Sequence, residues 1–170
     1  MIEQKRSMMG ALKSFDKVDH SQYDSKGNKA MMEFLNRKLK DFKTIENPNP
    51  YGIDLLTINK FNKVIHCWEV EVRHGNWQGD VSFPFRELNC IERKDYQWRK
   101  DQELFDKIPF EVVSDMKTTY VQLNKECTRA VFIDGSTILK YELKPWSNRK
   151  AVGEYVRQVP ISETLQVKLT

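Results

Sequence analysis

Between residues 26 and 42, apolar side chains recur at Ala30, Met31, Phe34, Leu35, Leu39 and Phe42, with Lys29, Arg37, Lys40 and Lys43 set among and just after them. Spacing of three or four residues predicts an amphipathic helix with a basic outer face. The stretch before it holds His20, Ser21, Asp24 and Gly27, a loop composition with Ser25 or Asn28 available as a cap. Asn47-Pro48-Asn49-Pro50 cannot continue a helix and delivers the chain in extended form to Tyr51. From there the pattern alternates, which predicts strands at 51–58 and 63–73, joined through Asn59, Lys60, Phe61 and Asn62 as a β-hairpin. Further strands are expected at 109–113, 118–124, 129–134 and 154–161, with Gly135 as a turn signal. The segment 86–107 is polar, basic and aromatic and carries no clear period, apart from room for a short helix in 96–107. The expectation is one mixed α/β domain over 1–170, a central mixed β-sheet flanked by helices.

Composition narrows the classes. With 170 residues, 39% hydrophobic and 31% charged, the chain has enough apolar material for one packed core. Its longest apolar run, at 130–133, is far short of the roughly 20 residues a membrane helix needs. The start of the chain mixes Glu3, Lys5 and Arg6 without an apolar stretch, so a cytoplasmic location and no membrane partner are expected. Cys67, Cys90 and Cys127 lie far apart with no C-x-x-C pair, which argues against a zinc ribbon, a redox motif or a disulfide framework. Lys plus Arg total 28 against 24 acidic residues, a formal charge of +4 that is too mild to establish a polyanionic partner.

Chemistry concentrates in the strand Val64-Ile65-His66-Cys67-Trp68-Glu69-Val70-Glu71-Val72-Arg73. Alternation sends Val64, Trp68, Val70 and Val72 to one face and Glu69, Glu71 and Arg73 to the other. If Asn59 pairs with Val64, Asp54 falls opposite Glu69, and a slip of one residue would turn Asp54 away. Like charges so opposed need a compensating cation, which a divalent metal would supply.

These residues resemble the PD-(D/E)XK nuclease superfamily, the restriction-endonuclease-like fold. The matching pieces are the helix, then Tyr51-Gly52-Ile53-Asp54, then Glu69-Val70-Glu71, 15 residues after the aspartate. The motif core spans about 26–134. Ile53 stands where the family often has proline, and Glu71 where it usually has lysine, as in an E-x-E variant. An alternative alignment takes Glu71-Val72-Arg73, with Arg73 for the lysine. The resemblance implies a metal-dependent nuclease that hydrolyses DNA phosphodiester bonds. Mg²⁺ or Mn²⁺ would be held by Asp54, Glu69 and Glu71, and Arg73 would stabilise developing charge. It also implies a helix carboxylate, for which Glu33 is the match, and a homodimer.

Arg86, Arg93, Lys94 and Arg99, interleaved with Trp98, have the makeup of a nucleic-acid contact, although Glu87, Glu92, Asp95 and Asp101 dilute the field. Arg37, Lys38, Lys40 and Lys43 offer a second phosphate-facing edge or simply a solvated helix face. His20, His66 and His74 lack zinc-site spacing, and no phosphate-loop or nucleophile-elbow motif occurs. Two alternatives stand beside the nuclease: a catalytically inactive nucleic-acid-binding module of the same fold, and a protein-interaction domain whose charged strand face forms ordinary ion pairs. The small basic chain suits an accessory protein of a phage or mobile element.

Overall fold

The computed structural model describes residues 17–147 and 153–170, with side chains from residue 24 onward. Its first element is helix α1 (Lys17–Lys38), which starts nine residues before the apolar pattern predicts. The expected loop around Asp24 and Gly27 is therefore helical, and neither Ser25 nor Asn28 is a cap. Gly27 explains the misreading. It is buried, and a Cβ built there would lie 2.6 Å from Cγ2 of Val72 and 3.3 Å from Cδ1 of Leu123. A glycine that reads as a helix breaker is the point where the helix backbone rests on the sheet. Arg37 and Lys38 in the last turn suit the negative end of the helix dipole.

Strand β1 (Lys43–Glu46) follows, and no period in the sequence announces it, because a four-residue edge strand gives only Thr44 and Ile45 an inward role. Asn36 ties it to the helix: its amide donates to the Thr44 carbonyl at 3.0 Å and accepts from the Thr44 N–H at 2.7 Å. β2 (Leu55–Ile58) is shorter than the expected 51–58, and β3 (Val64–Arg73) is close to its expected span. The β2–β3 register pairs Leu55 with Trp68, Leu56 with Cys67 and Thr57 with His66, then shifts so that Ile58, not Asn59, meets Val64. Continuing the unshifted register sets Asp54 opposite Glu69.

The connection from β3 contains β4 (Glu87–Ile91), a 3₁₀ turn at Glu92–Lys94, and helices α2 (Asp95–Arg99) and α3 (Gln102–Asp106). Between the two helices Lys100 takes a left-handed φ of 54°. β5 (Val112–Asn124) joins the two expected strands through the buried Met116 and lies parallel to β3. A parallel neighbour requires such a long crossover. β6 (Arg129–Asp134), the short helix α4 (Gly135–Ile138), β7 (Leu143–Pro145), β8 (Tyr155–Pro160) and β9 (Leu165–Lys168) complete the order. The central mixed sheet runs β1-β2-β3-β5-β6-β9, and a second sheet runs β4-β8-β7.

On one face of the large sheet, Met31, Phe34 and Leu35 of α1 pack on Leu55, Trp68, Val70, Val72, Val121 and Leu123. On the other, Trp98 and Ile138 of α2 and α4 join Leu88, Cys90 and Val159 of the small sheet over Tyr120, Val131 and Ile133. A third cluster gathers Ile53, Leu56, Cys67, Leu104 and Met116. Val64 belongs to this third cluster, not with Trp68 and Val70, because the β3–β5 pairing is irregular between Val64 and His66. All three cysteines are free and buried, and burial pushes the Cys67 and Cys90 thiols up to about 12.

Gly27→Ala gains helix propensity but drives a methyl into Val72. The expected net effect is destabilisation by about 1–3 kcal/mol, the usual range for overpacking, read as a lower urea midpoint with an unchanged slope.

Candidate functional site

Just before β2 begins, the β3 backbone still has a donor to satisfy, and Asp54 meets it. Its Oδ2 accepts the Val70 N–H at 2.8 Å, while its own carbonyl accepts the Asn47 N–H at 2.8 Å. The Asp54 side chain is thereby fixed beside Glu69. On β3, Glu69, Glu71 and Arg73 share the face away from α1, and their β5 neighbours Tyr120 and Gln122 are polar and almost fully buried. Tyr120 donates its hydroxyl to Oε2 of Glu71. Gln122 donates to the Tyr120 hydroxyl at 3.0 Å and accepts from Nε of Arg73 at 2.9 Å. One polar chain thus runs from Glu71 to Arg73 across two strands.

Glu69 has a cation already. Nζ of Lys94, at the end of the 3₁₀ turn, lies 2.5 Å from Glu69 Oε1, and Nε2 of Gln97 donates to Oε2 at 2.9 Å. The Lys94 side chain is 21% exposed and that of Glu69 10%, so the pair is largely withdrawn from water. Burial alone would lower the Lys94 pKa. The carboxylates of Glu69, Glu71 and Asp54 outweigh it and hold the ammonium above its ordinary value. The turn that carries Lys94 is pinned next door, where Nη2 of Arg157 pairs with the buried Asp95 at 2.8 Å.

The Asp54 carboxyl is pushed well above the usual carboxylate range, first by burial and then by the Glu69 charge. The Val70 N–H and Lys94 oppose that rise, and Asp24 on α1 adds to it. Asp24 is therefore the helix carboxylate whose field reaches the cluster. Glu33, the sequence candidate, is exposed and lies nine residues further on, about two and a half turns, hence on the opposite side of the helix. Sequence reading missed Asp24 because Gly27 made its segment look like a loop.

The other expected contacts divide. Trp98 is 3% exposed and packs on Tyr120 with ring centroids 5.6 Å apart, so it presents no face for a base. Its large ring fills the core under α2. Lys94 is engaged with Glu69 instead of an open surface. Arg86, Arg93 and Arg99 are exposed, with Arg99 3.4 Å from Asp101. Arg37 donates to the Leu169 carbonyl at 2.5 Å and so holds the chain end against α1. His66 stacks on Trp68 at 4.0 Å and meets Thr119 Oγ1 at 2.7 Å. Burial, then Lys117 and Lys100, lower its pKa to about 4, the profile of a neutral packed histidine.

Among the described residues, no three His, Cys, Asp or Glu side chains gather tightly enough to hold a metal between them. The oxygens present still suit a hard cation. Asp54 and Glu69 are adjacent carboxylates, and the buried Gln97, whose amide is bonded to Glu69, has an Oε1 with no hydrogen-bond partner among the described residues. Mg²⁺ is characteristically held by one or two carboxylates, with waters and substrate phosphate oxygens completing its six positions.

No protein-family model matches the chain, and no curated protein sequence matches it. Among solved structures, the chain is similar to Hjc of Archaeoglobus fulgidus, a Holliday junction resolvase from an archaeal hyperthermophile. The identity is 12%, the TM-score 0.45, and the match covers 84% of this chain and 92% of that one. No helix among the described residues is long and apolar enough to cross a membrane.

Because Asp54 keeps its proton to higher pH in the folded protein than the ordinary 3.8, the folded state binds more protons than the unfolded chain above that value. Stability should therefore fall as pH rises from about 4 through the raised value in metal-free buffer. Asp54→Asn keeps an acceptor for Val70 and removes the charge. Its melting temperature in EDTA should exceed that of wild type, by a margin that widens from pH 5 to pH 8; a margin that shrinks contradicts this account.

Proposed function

We propose that the chain is a metal-dependent nuclease of the restriction-endonuclease-like class, acting on DNA phosphodiester bonds. The observation that carries this reading is the meeting of Asp54, from the start of β2, with Glu69 of β3 and the Lys94 ammonium from a separate segment. The resemblance stated for Asp54, Glu69 and Glu71 leaves one gap, the lysine usual at the position of Glu71. Lys94 supplies that ammonium from outside the motif.

In this reading Asp54 and Glu69 hold Mg²⁺ or Mn²⁺, with Gln97 Oε1 as an additional oxygen and Asp24 contributing to the negative field. The cation, when bound, neutralises charge on the phosphoryl group and lowers the pKa of an attacking water. Lys94 uses one N–H on Glu69 and has two left to aim at a phosphate oxygen. Glu71, held by the Tyr120 hydroxyl, would accept a proton from water. Arg73, held through Nε, keeps its terminal nitrogens for the developing negative charge. A homodimer that presents two such sites is part of the same proposal.

One observation favours a second reading. Glu69 is already neutralised by Lys94, as it would be in a nucleic-acid-binding module that no longer cuts. Such a module retains DNA in EDTA and loses it steeply with salt.

Titration of Mn²⁺ by calorimetry, run beside plasmid nicking with and without EDTA, separates the two. The nuclease reading expects Mn²⁺ binding and EDTA-sensitive nicking in wild type, both lost in Asp54→Ala with the circular dichroism spectrum unchanged. DNA retention without metal binding or nicking supports the module instead.

A further inference from the structure

Beyond the acidic cluster, the end of β3 opens into a cleft of about 360 Å³ between the two sheets, lined by Arg73, Phe85, Arg86, Asn89, Trp146 and Gln158 among others. The Arg73 guanidinium sits 5.9 Å from the centroid of the Phe83 ring and 5.5 Å from that of Phe85. With Nε given to Gln122, its terminal nitrogens have no hydrogen-bond partner among the described residues. The exposed Arg86 guanidinium has no ion pair there either. Asn89 of β4 and Gln158 of β8 are cross-strand partners, and Gln158 Nε2 donates to Asn89 Oδ1 at 3.4 Å. That contact leaves the Asn89 amide donor and the Gln158 carbonyl acceptor open side by side. Phe85, 38% exposed, and the half-buried Trp146 add ring surface.

We propose that this cleft binds one unpaired nucleotide of the DNA strand that enters the acidic site. The chemistry corresponds part by part. A base with no partner stacks on an aromatic ring, its edge presents a donor beside an acceptor for the Asn89 and Gln158 pair, and its phosphate takes guanidinium donors. A fully paired duplex offers no free base to a hollow of this size. Arg73 connects the two places, being two residues along β3 from Glu71 and linked to it through Gln122 and Tyr120. Trp146 thus takes the stacking role that the sequence suggests for Trp98. The inference rests on the nuclease reading for its strand and its substrate class, but base capture does not require metal or cleavage.

The test measures binding in EDTA, so a failure of the nuclease chemistry leaves it intact. Fluorescence anisotropy compares a labelled duplex with a single-nucleotide bulge and the same duplex fully paired. The full chain should prefer the bulged DNA by about tenfold, the order of one base–aromatic stack. Trp146→Ala should abolish the preference without changing affinity for paired DNA, and Trp146→Phe should keep it. Asn89→Ala should weaken discrimination among the four bulged bases. Equal affinity for both duplexes, or a Trp146→Ala loss equal on both, overturns the proposal. So does displacement by a free deoxynucleoside monophosphate at the concentration of the bulged DNA, which would assign the cleft to a soluble nucleotide.

Discussion

A carboxylate in the middle of a covered sheet face needs a cation, and for Glu69 that cation is Lys94. The two charges are 2.5 Å apart and mostly out of water, a setting in which removing either partner alone is expected to cost about 3–5 kcal/mol. Much of the surrounding structure serves this pair. The 3₁₀ turn that brings Lys94 in is fastened by Asp95 and Arg157, Gln97 of α2 takes the other oxygen of Glu69, and α2 itself is held down by the buried Trp98. The small sheet and the crossover helices are thus the support from which a distant lysine reaches the central sheet.

Around that pair the charges are unevenly settled. Glu71 is met by a tyrosine hydroxyl and Arg73 by a glutamine, both neutral partners that fix geometry without consuming charge. Asp54 is held by a backbone N–H, yet burial first and then the Glu69 and Asp24 charges disfavour its ionised form. One carboxylate is satisfied and its neighbour is not. In the proposed nuclease, that asymmetry would leave Asp54 open to a metal cation.

The sequence made the hairpin and the acidic face legible because both rest on a period of two, and Asp54 opposite Glu69 follows from three successive pairs in that register. What it hid has physical causes. Lys94 is 25 residues from Glu69 and arrives by way of β4, so no local spacing joins them. Asp24 was obscured by Gly27, which looks like a break in a helix and is a contact between helix and sheet. Trp98 and Lys94 share a basic aromatic stretch that reads as one surface, but the short helix α2 turns the tryptophan inward while the 3₁₀ turn before it aims the lysine at the acids. Strands β1, β7 and β9 have three or four residues each, too few to show a period.

In the proposed nuclease, Lys94 completes the acidic site from outside the motif as its working ammonium. Plasmid nicking in Mn²⁺ by Lys94→Met, with folding checked by circular dichroism and with Lys94→Arg alongside, tests this role. Loss of a charged donor aimed at the reacting phosphate should cut the rate by at least about a hundredfold, with partial recovery in Lys94→Arg and secondary structure preserved. A folded Lys94→Met protein that nicks DNA at the wild-type rate would contradict the account.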